Sequence, residues 1–351
     1  MGGDESSTRA MTFSDRLRTA GLRGARRAPP VVRRVLRGGA TWVGETLAAA
    51  TASGAGALDR LRAPVIGPSP PLPPGTTPER LRALLGTLAI DDESSGHLDE
   101  YATESWLRLL HTWGLVSEAS GRGLELGANP YFLTTLLDRY TDLDLQLANF
   151  FASPHENTTT QTVSLTSDGA AERRSYTSDL FNIEEESFPY DDDSFDVVLF
   201  CEILEHLLID PVRALEEINR VLKPGGQLVL TTPNAARRAN VVALVAGINI
   251  YDPYSAHGPY GRHNREYTPH ELNQLLRFCG FTPDTMFTAD SSAWEPPAVD
   301  GVSEALRLVG WREPDLGQYI FSSSRSTSSP RRGRPDFLFR GLPASETIRL
   351  A

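Results

Sequence analysis

The apolar run FDVVLF, residues Phe195 to Phe200, is the feature that most constrains the fold. A run of this kind is typical of a central parallel strand, because helices cover both faces of such a sheet. A helix is predicted to follow from Pro211, which suits a first helical position, with Asp210 as its cap. One apolar stripe runs through residues 212 to 222 and favours that helix.

The same alternation of strand and helix recurs along residues 119 to 322. One strand is predicted to end near Leu126. Further strands are predicted over Asp142 to Asn149, near Arg174 to Ser178, and over Gln227 to Thr232. A polar insertion over residues 151 to 173 is expected to form a hairpin through TQTVSL, and a capping box at Thr268 opens another helix. This rhythm predicts an α/β fold with a mostly parallel sheet, helices on both faces, and a site at the carboxyl ends of the strands.

A tight turn is predicted in GLELGANPYF, residues Gly123 to Phe132. Gly127 allows the backbone to turn and to approach a ligand closely. Asn129 is a favoured helix cap that tolerates left-handed dihedrals, and Pro130 suits the first helical position. The turn would direct a helix N-terminus at the crevice, although the loop by itself is equally consistent with a purely structural turn.

Charge and cysteine content limit the classes of function. The net charge is −11, and residues 1 to 64 contain 11 arginines and 5 acidic residues, so the remainder of the chain is strongly acidic and a nucleic-acid substrate is not expected. Cys201 and Cys279 have neither a disulfide framework nor a metal-ligand spacing, which predicts reduced thiols, no metal site and a cytoplasmic location. The sequence has no apolar run near the about 20 residues of a membrane span.

The ends of the chain differ in composition from its centre. Residues 1–75 are predicted to be a flexible basic segment with a proline-rich linker, and a short amphipathic stretch there offers peripheral contact with a membrane or a protein. Residues 76–118 read as a helical cap and residues 323–351, rich in serine and arginine, as a disordered tail. The N-terminal helices are an extension that either caps the crevice or simply packs on the core.

The motifs LELGANP, SDLFNIE, FDVVLFCEILEHL, LKPGGQLVLTTPN and GRHNREYTPHELNQLL occur in this order. Together they resemble the class I S-adenosylmethionine-dependent methyltransferases over residues 122 to 322. The resemblance implies a Rossmann-like, seven-stranded sheet with a reversed last strand, in a methyltransferase domain at 119–322. It also implies S-adenosylmethionine bound across the carboxyl ends of the first four strands.

This resemblance implies a set of cofactor contacts. Glu125 and Gly127 match the first motif of the family, and Asn129 replaces a glycine, as does Tyr131. At the end of the second strand Asn149 takes the place of the carboxylate that usually contacts the ribose.

Two further segments match the family's cofactor contacts. Asp179 fits the acid near the adenine amino group, with the backbone of Leu180 or Phe181 reading the ring edge. Cys201 and Glu202 would flank the methionine moiety and the acceptor. Gly127 and Asp179 are therefore expected to border one cavity.

Two histidines are candidates for proton transfer. Methyl transfer is an in-line displacement that mainly needs alignment, but a hydroxyl acceptor gains from a base, and histidine has a suitable pKa. His206 is the first candidate, with Glu202 or Glu205 to orient it, and His263 is the second; a packing or capping role for His206 is equally open. The acceptor-binding candidates lie in YDPYSAHGPYGRHNREY and are Tyr251, Tyr254, Tyr260 and Arg262.

The predicted function is methylation, at oxygen, of a small molecule or of a glycan or lipid-linked acceptor. Two alternatives remain open. One is an NAD(P)-dependent enzyme of similar fold, which the missing Gly-x-Gly-x-x-Gly pattern disfavours. The other is a catalytically silent module that binds a partner. The acceptor and the oligomeric state are not predicted.

Overall fold

The computed structural model describes residues 67–91, 96–151, 156–167, 169–256, 258–292 and 302–349. Nearly all of these belong to one unit, Val65–Ala293 with Ala305–Ala351. The second unit is Met1–Pro64 with Trp294–Glu304, of which only residues 302 to 304 are described. The basic segment predicted for residues 1–75, and its proposed contact with a membrane or protein, therefore lie almost entirely outside the described residues.

We number the helices and strands of the described residues in chain order. The helices are α1 (Pro78–Leu85), α2 (Gly96–Glu104), α3 (Trp106–Val116), α4 (Phe132–Tyr140), α5 (Pro211–Val221), α6 (Arg238–Val245), α7 (Pro269–Phe278) and α8 (Val302–Val309). The strands are β1 (Ala89–Ile90), β2 (Ser120–Leu126), β3 (Asp142–Asn149), β4 (Thr158–Ser167), β5 (Ala170–Leu180), β6 (Phe195–Cys201), β7 (Leu222–Pro233), β8 (Phe281–Ala289), β9 (Tyr319–Ser326), β10 (Arg334–Pro335) and β11 (Thr347–Ile348). Short 3-10 helices lie at Leu204–His206, Pro259–Gly261 and Gly310–Asp315. In the part of the chain that is described, no helix combines the length and the apolar character needed to cross a bilayer.

The main sheet has the strand order β1-β4-β5-β3-β2-β6-β7-β9-β8. Strands β5, β3, β2, β6 and β7 are parallel to one another, and β9 lies antiparallel between β7 and β8. These seven strands are the α/β sheet that the sequence predicts, with its reversed last strand. The order reverses between β2 and β6, and such a switch point opens a crevice at the carboxyl ends of the strands.

Two more strands extend the sheet beyond the predicted seven. The hairpin expected within residues 151 to 173 is confirmed, because β4 pairs antiparallel with β5 along its whole length. This pairing also makes β5 longer than the predicted third strand. The short strand β1, between α1 and α2, then pairs with β4 through Ala89 and Ile90 and adds the outermost strand at this edge.

The central strand β6 contacts helices on both faces, as its apolar sequence predicts. Val198 and Phe200 belong to one buried cluster, which they share with helices α5 and α7. Val197 and Leu199 belong to the opposite cluster, together with α3 and α4 of the other layer. The cap helix α3 is therefore part of the core packing on the sheet.

The helix boundaries follow the local signals closely. The Asp210 carboxylate accepts the Val212 and Arg213 N–H groups at the start of α5, with Pro211 in the first turn. At α7, Thr268 and Glu271 form the predicted capping box. These caps satisfy backbone donors that the first helical turn leaves without partners.

The C-terminal residues differ from the predicted disordered tail. Strand β9 continues to Ser326, and β10 pairs in parallel with β11. Phe337, Leu338 and Ile348 pack against the cluster of α5 and α7, and Arg334 forms an ion pair of 2.6 Å with Asp210. The composition suggests disorder, but these few apolar side chains bury enough surface to order the segment.

Deleting residues 329–351 is expected to destabilise the fold. The deletion removes the apolar cover of the α5 and α7 cluster and the arginine partner of the α5 cap. We expect a loss of about 2–4 kcal/mol in the free energy of unfolding, and a drop of roughly 5–15 °C in the midpoint of thermal unfolding measured by circular dichroism. Arg349→Ala, at a side chain that is 90% exposed, is the control and should leave the midpoint unchanged. An unchanged midpoint after the deletion would contradict the packing role.

Candidate active site

A cavity of about 170 Å³ lies at the carboxyl end of β2, at the switch point of the sheet. Its walls come from the ends of β2 and β3, from the segments that follow β5 and β6, and from the 3-10 helix at Pro259–Gly261. It is lined by Leu126, Gly127, Ala148, Asn149, Phe150, Phe181, Asn182, Ile183, Ile203, His206, Leu207 and Tyr260. The lining is mostly apolar, with aromatic rings that suit a flat heterocycle.

A second and smaller cavity, of about 30 Å³, shares Leu126 and Gly127 with the first. The helices α2 and α3 contribute Tyr101 and Arg108 to its wall, and Glu125 comes from β2. The remaining lining residues are Leu109, Thr112, Ala128, Asn129, Pro130, Phe132, Leu133 and Cys201. The N-terminal helical extension therefore supplies charge to this site as well as packing on the core.

Gly127 is required by both its conformation and its surroundings. Its φ of 69° lies in the left-handed region, and its N–H donates to the Ala148 carbonyl at 2.8 Å. A Cβ at this position would lie 2.8 Å from Cδ1 of Ile203. A side chain would therefore strain the backbone and push on a residue that lines the first cavity.

The turn after Gly127 corrects the prediction made from Asn129 and Pro130. Helix α4 begins only at Phe132, the peptide between Asn129 and Pro130 is cis, and the left-handed residue is Tyr131, with a φ of 66°. Tyr131 is fully buried, and its hydroxyl donates to Gln161 of β4 at 2.8 Å. Contacts with the inserted hairpin therefore override the local preference for asparagine.

Asn149 lies where the sequence predicts, at the end of β3 and on the wall of the first cavity. Its side-chain oxygen accepts the Asn129 N–H at 2.9 Å, and its amide nitrogen donates to the Ser178 hydroxyl at 2.9 Å. The side chain thus fixes the turn after β2 to the neighbouring strand. A contact between Asn149 and a ribose stays a prediction.

Asp179 is not among the residues that line these two cavities, so its contact with the adenine amino group and a cavity shared with Gly127 stay predictions. The Asp179 carboxylate instead accepts hydrogen bonds from Tyr190 at 2.7 Å and Gln146 at 3.0 Å. Such a bond from a tyrosine eleven residues further along the chain leaves no trace in a local pattern.

Leu180 and Phe181, which follow Asp179, both use their backbone N–H groups in hydrogen bonds, and of the two Phe181 lines the first cavity. The Leu180 N–H donates to the Asn157 carbonyl at 2.8 Å, and the Phe181 N–H donates to the Asn149 carbonyl at 3.3 Å. Reading an adenine edge with either amide would require exchange of these bonds. The Phe181 ring does line the first cavity, where it can contact a ligand directly.

Glu125 is a buried carboxyl with one hydrogen bond, from the Thr134 hydroxyl at 2.7 Å. Burial raises its pKa to about 8, because the charged form loses its hydration. Glu125 is therefore mostly protonated at neutral pH in the ligand-free cavity. A cation brought next to it would favour the charged form.

Arg108 is the buried cation of the second cavity. Its guanidinium donates to the Tyr101 hydroxyl at 2.8 Å and to the Ser105 hydroxyl at 2.9 Å, and it lies 3.8 Å from the Glu202 carboxylate. Burial lowers the pKa of Arg108, but the neighbouring Tyr101 and Glu202 outweigh this effect and hold the pKa above its usual value. Arg108 is therefore a fixed positive charge in the wall of the second cavity, which Glu125 also lines.

Cys201 and Glu202 end β6 next to this cation. Cys201 lines the second cavity, and burial raises the pKa of its thiol, so the thiol stays neutral. Glu202 has a φ of 56°, and its carboxylate accepts the Thr231 hydroxyl at 2.8 Å. A glutamate in the left-handed region costs free energy, and residues of this kind occur often at functional sites.

His206 and His263 lie together, with ring centroids 5.1 Å apart. His206 Nδ1 lies 2.9 Å from the Arg262 carbonyl, which can only accept, so Nδ1 carries the proton and Nε2 keeps its lone pair. Burial and the neighbouring His263 lower the pKa of His206, which favours its neutral form. His263 Nδ1 lies 3.1 Å from the Glu266 carboxylate. Burial lowers the pKa of His263, but the hydrogen bond to Glu266 and the nearby carboxylates outweigh burial and raise that pKa above its usual value.

The predicted acceptor loop is only partly at the cavity. Tyr260 lines the first cavity and accepts a hydrogen bond of 3.3 Å from Asn182. Tyr251 and Tyr254 are 80% and 91% exposed, and the Arg262 guanidinium stacks on the Tyr254 ring at 4.7 Å. Tyr251, Tyr254 and Arg262 are not among the residues that line either cavity, so their acceptor contacts stay predictions.

The sequence of residues 98–285, more than half of the chain, matches a family model described as a methyltransferase domain. The chain belongs to the class I S-adenosylmethionine-dependent methyltransferases. Family membership decides against the NAD(P)-dependent alternative. The cofactor of this methyltransferase is thus S-adenosylmethionine.

Curated relatives of this methyltransferase include two bacterial enzymes. The ubiquinone biosynthesis O-methyltransferase of Cereibacter sphaeroides is 31% identical over 136 residues, which are 37% of this chain and 53% of that protein. The protein of the same name from Roseobacter denitrificans is 32% identical over 115 residues, 32% of this chain and 44% of that protein. The chain thus spans about half the length of the curated relatives that it matches.

Solved structures with a related chain trace are more distant. Geranyl diphosphate C-methyltransferase from Streptomyces coelicolor is 15% identical, with a TM-score of 0.38 over 77% of this chain and 97% of that chain. A methyltransferase from Thermotoga maritima is 16% identical, with a TM-score of 0.39 over 66% of this chain and 95% of that chain. Likeness at this level adds nothing about the acceptor of this methyltransferase.

Several residues of the methyltransferase site were missed by sequence reasoning. Phe150 and Asn182 line the first cavity. Each lies just after a strand that the sequence predicts, and this position is the signal that points to them. Arg108 had a clearer signal, since it interrupts the apolar helix WLRLLHTW. A charged residue in an apolar helical stripe is rarely buried without a partner or a function.

Glu125 is expected to make the stability of the methyltransferase depend on pH. The pKa of this carboxyl is about 8 in the folded chain against an ordinary 4.5, so its contribution is fully present below pH 4.5 and lost as pH rises through 8. Glu125→Gln should therefore flatten the fall in unfolding free energy between about pH 5 and pH 8, by up to about 1.4 kcal/mol per pH unit, in urea titrations. Glu346→Gln, at an exposed site, is the control. An unchanged slope in Glu125→Gln would show that the carboxyl is already ionised.

Proposed function

We propose that this chain transfers the methyl group of S-adenosylmethionine to a hydroxyl oxygen of a small-molecule or glycan acceptor, including lipid-linked ones. The observation that carries the proposal is the pair of cavities that meet at Gly127. One is apolar and aromatic, and the other holds Arg108 and Glu125. S-adenosylmethionine is divided in the same way, because its adenosyl group is aromatic and its methionine group carries an ammonium and a carboxylate.

The adenosyl group is proposed to occupy the larger cavity. Phe181 and Ile183 offer apolar contact to the adenine ring, and Phe150 lies on the same wall. The methionine group would then enter the smaller cavity, past Gly127. Gly127 allows the cofactor to cross between the two because no side chain intervenes there.

The two charges of the smaller cavity complement the methionine group. We assign the α-carboxylate to the Arg108 guanidinium, which is buried and keeps its charge. Glu125 is the proposed partner of the α-ammonium, and binding of that cation would release the proton that Glu125 otherwise keeps. Both residues would therefore distinguish the intact cofactor from adenosine alone.

His206 is the proposed proton acceptor. It lines the larger cavity, and the Nδ1–H bond to Arg262 holds its ring with Nε2 deprotonated. A neutral imidazole in this position can remove the proton of an acceptor hydroxyl as the oxygen attacks the methyl carbon, a contribution of roughly 10²- to 10⁴-fold in rate. His263, bonded to Glu266, is the second candidate for this role.

Oxygen is favoured as the methylated atom for two reasons. The curated relatives in the comparison are named O-methyltransferases, although each matches over only part of its length. A neutral histidine beside the cavity also suits a hydroxyl, which must lose a proton, better than an amine whose lone pair is already free. Exposed tyrosines near the cavity, Tyr251 and Tyr254, would offer stacking to a ring-bearing acceptor.

The proposal is tested with methyl-labelled S-adenosylmethionine and pairs of acceptors that differ only in a hydroxyl or an amino group. Labelled product is expected from the hydroxyl member, detected by mass spectrometry. Gly127→Ala should weaken cofactor binding in calorimetry, because the left-handed φ strains alanine and the new Cβ displaces the Ile203 side chain at the cavity wall. Gly75→Ala is the control, because Gly75 has a φ of 71° but open space around its Cβ position.

Two results would overturn the proposal. Transfer to the amine and not to the hydroxyl would reject oxygen as the methylated atom. A wild-type protein that binds neither S-adenosylmethionine nor its demethylated product would reject the catalytic proposal altogether and would favour the silent-module alternative.

Arg108→Gln should weaken binding of S-adenosylmethionine by roughly 10- to 100-fold, because a charge-assisted hydrogen bond is lost in a buried cavity. The decisive comparison uses decarboxylated S-adenosylmethionine, for which wild type and variant should bind alike. Arg139→Gln is the control, because Arg139 lies in the last turn of α4 and pairs with Glu172. Equal weakening for both forms of the cofactor would assign Arg108 a packing role only.

A further inference from the structure

Three side chains able to bind a metal ion converge beside the larger cavity. Glu205, His206 and His263 each offer a ligand atom, and these atoms all lie within 4.8 Å of one another. Glu205 and His206 are neighbours in the 3-10 helix after β6, and His263 comes from the loop before α7. Nothing in the sequence spacing links residues 205 and 206 to residue 263.

The two segments are fastened to each other by backbone groups. The Asn264 N–H donates to the Glu205 carbonyl at 2.7 Å, and the Asn264 side chain donates to the His206 carbonyl at 2.9 Å. The three side chains are therefore held together by the fold itself. A preformed cluster loses little conformational entropy when it binds an ion.

Each histidine is oriented by a second group, as metal-binding histidines usually are. His206 Nδ1–H donates to the Arg262 carbonyl, and His263 Nδ1 is bonded to the Glu266 carboxylate. In the neutral tautomers that these partners select, Nε2 of each ring carries a lone pair. His206 Nε2 lies 3.8 Å from Oε1 of Glu205.

Glu205 supplies an independent sign of a missing ligand. Its side chain is fully buried, and Oε2 accepts the Thr232 hydroxyl at 2.9 Å. Within the described part of the chain, Oε1 is buried with no hydrogen-bond partner. Buried carboxylate oxygens are normally hydrogen-bonded or bound to a cation.

We infer that Glu205, His206 and His263 bind one divalent transition-metal ion, and that zinc fits best. Two imidazoles and one carboxylate suit zinc and its neighbours in the first row, whereas magnesium and calcium favour oxygen ligands. Metal–ligand bonds of about 2.1 Å at tetrahedral angles place ligand atoms about 3.4 Å apart, so the cluster must contract slightly around the ion. Three protein ligands leave a coordination position open.

The open position extends the proposed function and rests on it. His206 lines the larger cavity, so an ion there would present its free position to an acceptor oxygen. The ion would take the Nε2 lone pair of His206, so in the metal-bound state the ion would lower the pKa of the acceptor hydroxyl, and that hydroxyl would lose its proton to water before its oxygen attacks the methyl carbon. The acceptor would then be one whose oxygen can bind a metal ion, such as a phenol with a second neighbouring hydroxyl.

The experiment uses the full chain without an affinity tag, freed of metal with a chelator. Binding is followed with cobalt(II), through its visible absorption, and with zinc, by elemental analysis after gel filtration. One ion per chain is expected for the wild type. Glu205→Gln and His263→Ala should each weaken binding by more than about 100-fold, beyond the loss typical of an outer-shell partner. His270→Ala, at an exposed histidine on α7, is the matched control and should bind like the wild type.

Circular dichroism of each variant separates lost binding from lost folding, and His263→Ala in a surface loop carries the test should Glu205→Gln fail to fold. Wild type that binds zinc no better than His263→Ala, or His270→Ala that weakens binding equally, would overturn the inference. A parallel titration with S-adenosylmethionine keeps the two proposals apart. Zinc binding without cofactor binding would support the metal site and reject methyl transfer, and the reverse would reject the metal site alone.

Discussion

The parallel pairing of β2 between β3 and β6 is the constraint on which the site depends. The connection after β2 leads to β3 on one side and the connection after β6 leads to β7 on the other, so a crevice opens between the carboxyl ends of β2 and β6. The Gly127 N–H then bonds back to the Ala148 carbonyl of β3 and turns the chain sharply. Both cavities border this turn, and the proposed cofactor contacts lie on either side of it.

The ionisable side chains of Glu125, Glu205 and Arg108 are buried in or beside the two cavities. Glu125 and Glu205 are both buried carboxyls whose pKa burial raises, while Arg108 keeps its charge through Tyr101 and Glu202. Burial of this kind is unfavourable in the ligand-free fold. A ligand with separate positive and negative groups, or a bound cation, would offset part of that cost, which is why such groups mark functional sites more often than surface ion pairs do.

Local rules predicted much of the fold. The apolar run of β6, the caps of α5 and α7, and the hairpin of β4 and β5 were all readable because each depends on residues a few positions apart. Gly127 and Asn149 line the larger cavity, and their contacts with the cofactor stay predictions.

The remaining features depend on contacts that are distant in sequence. Tyr131 adopts a left-handed backbone because Gln161 binds its hydroxyl, and Asp179 is held by Tyr190 and Gln146. Arg108 reaches the site from a helix that precedes the matched motifs. Order in the C-terminal segment depends on packing against α5 and α7, which composition does not reveal.

The strand β1, only two residues long, has an effect out of proportion to its size. It covers part of β4, a strand rich in threonine that would otherwise offer unpaired backbone groups along its outer side. Any chain that begins after residue 90 would expose this edge to pairing with another molecule. The N-terminal helices and the inserted hairpin are thus joined by two residues that lie far from the chemistry.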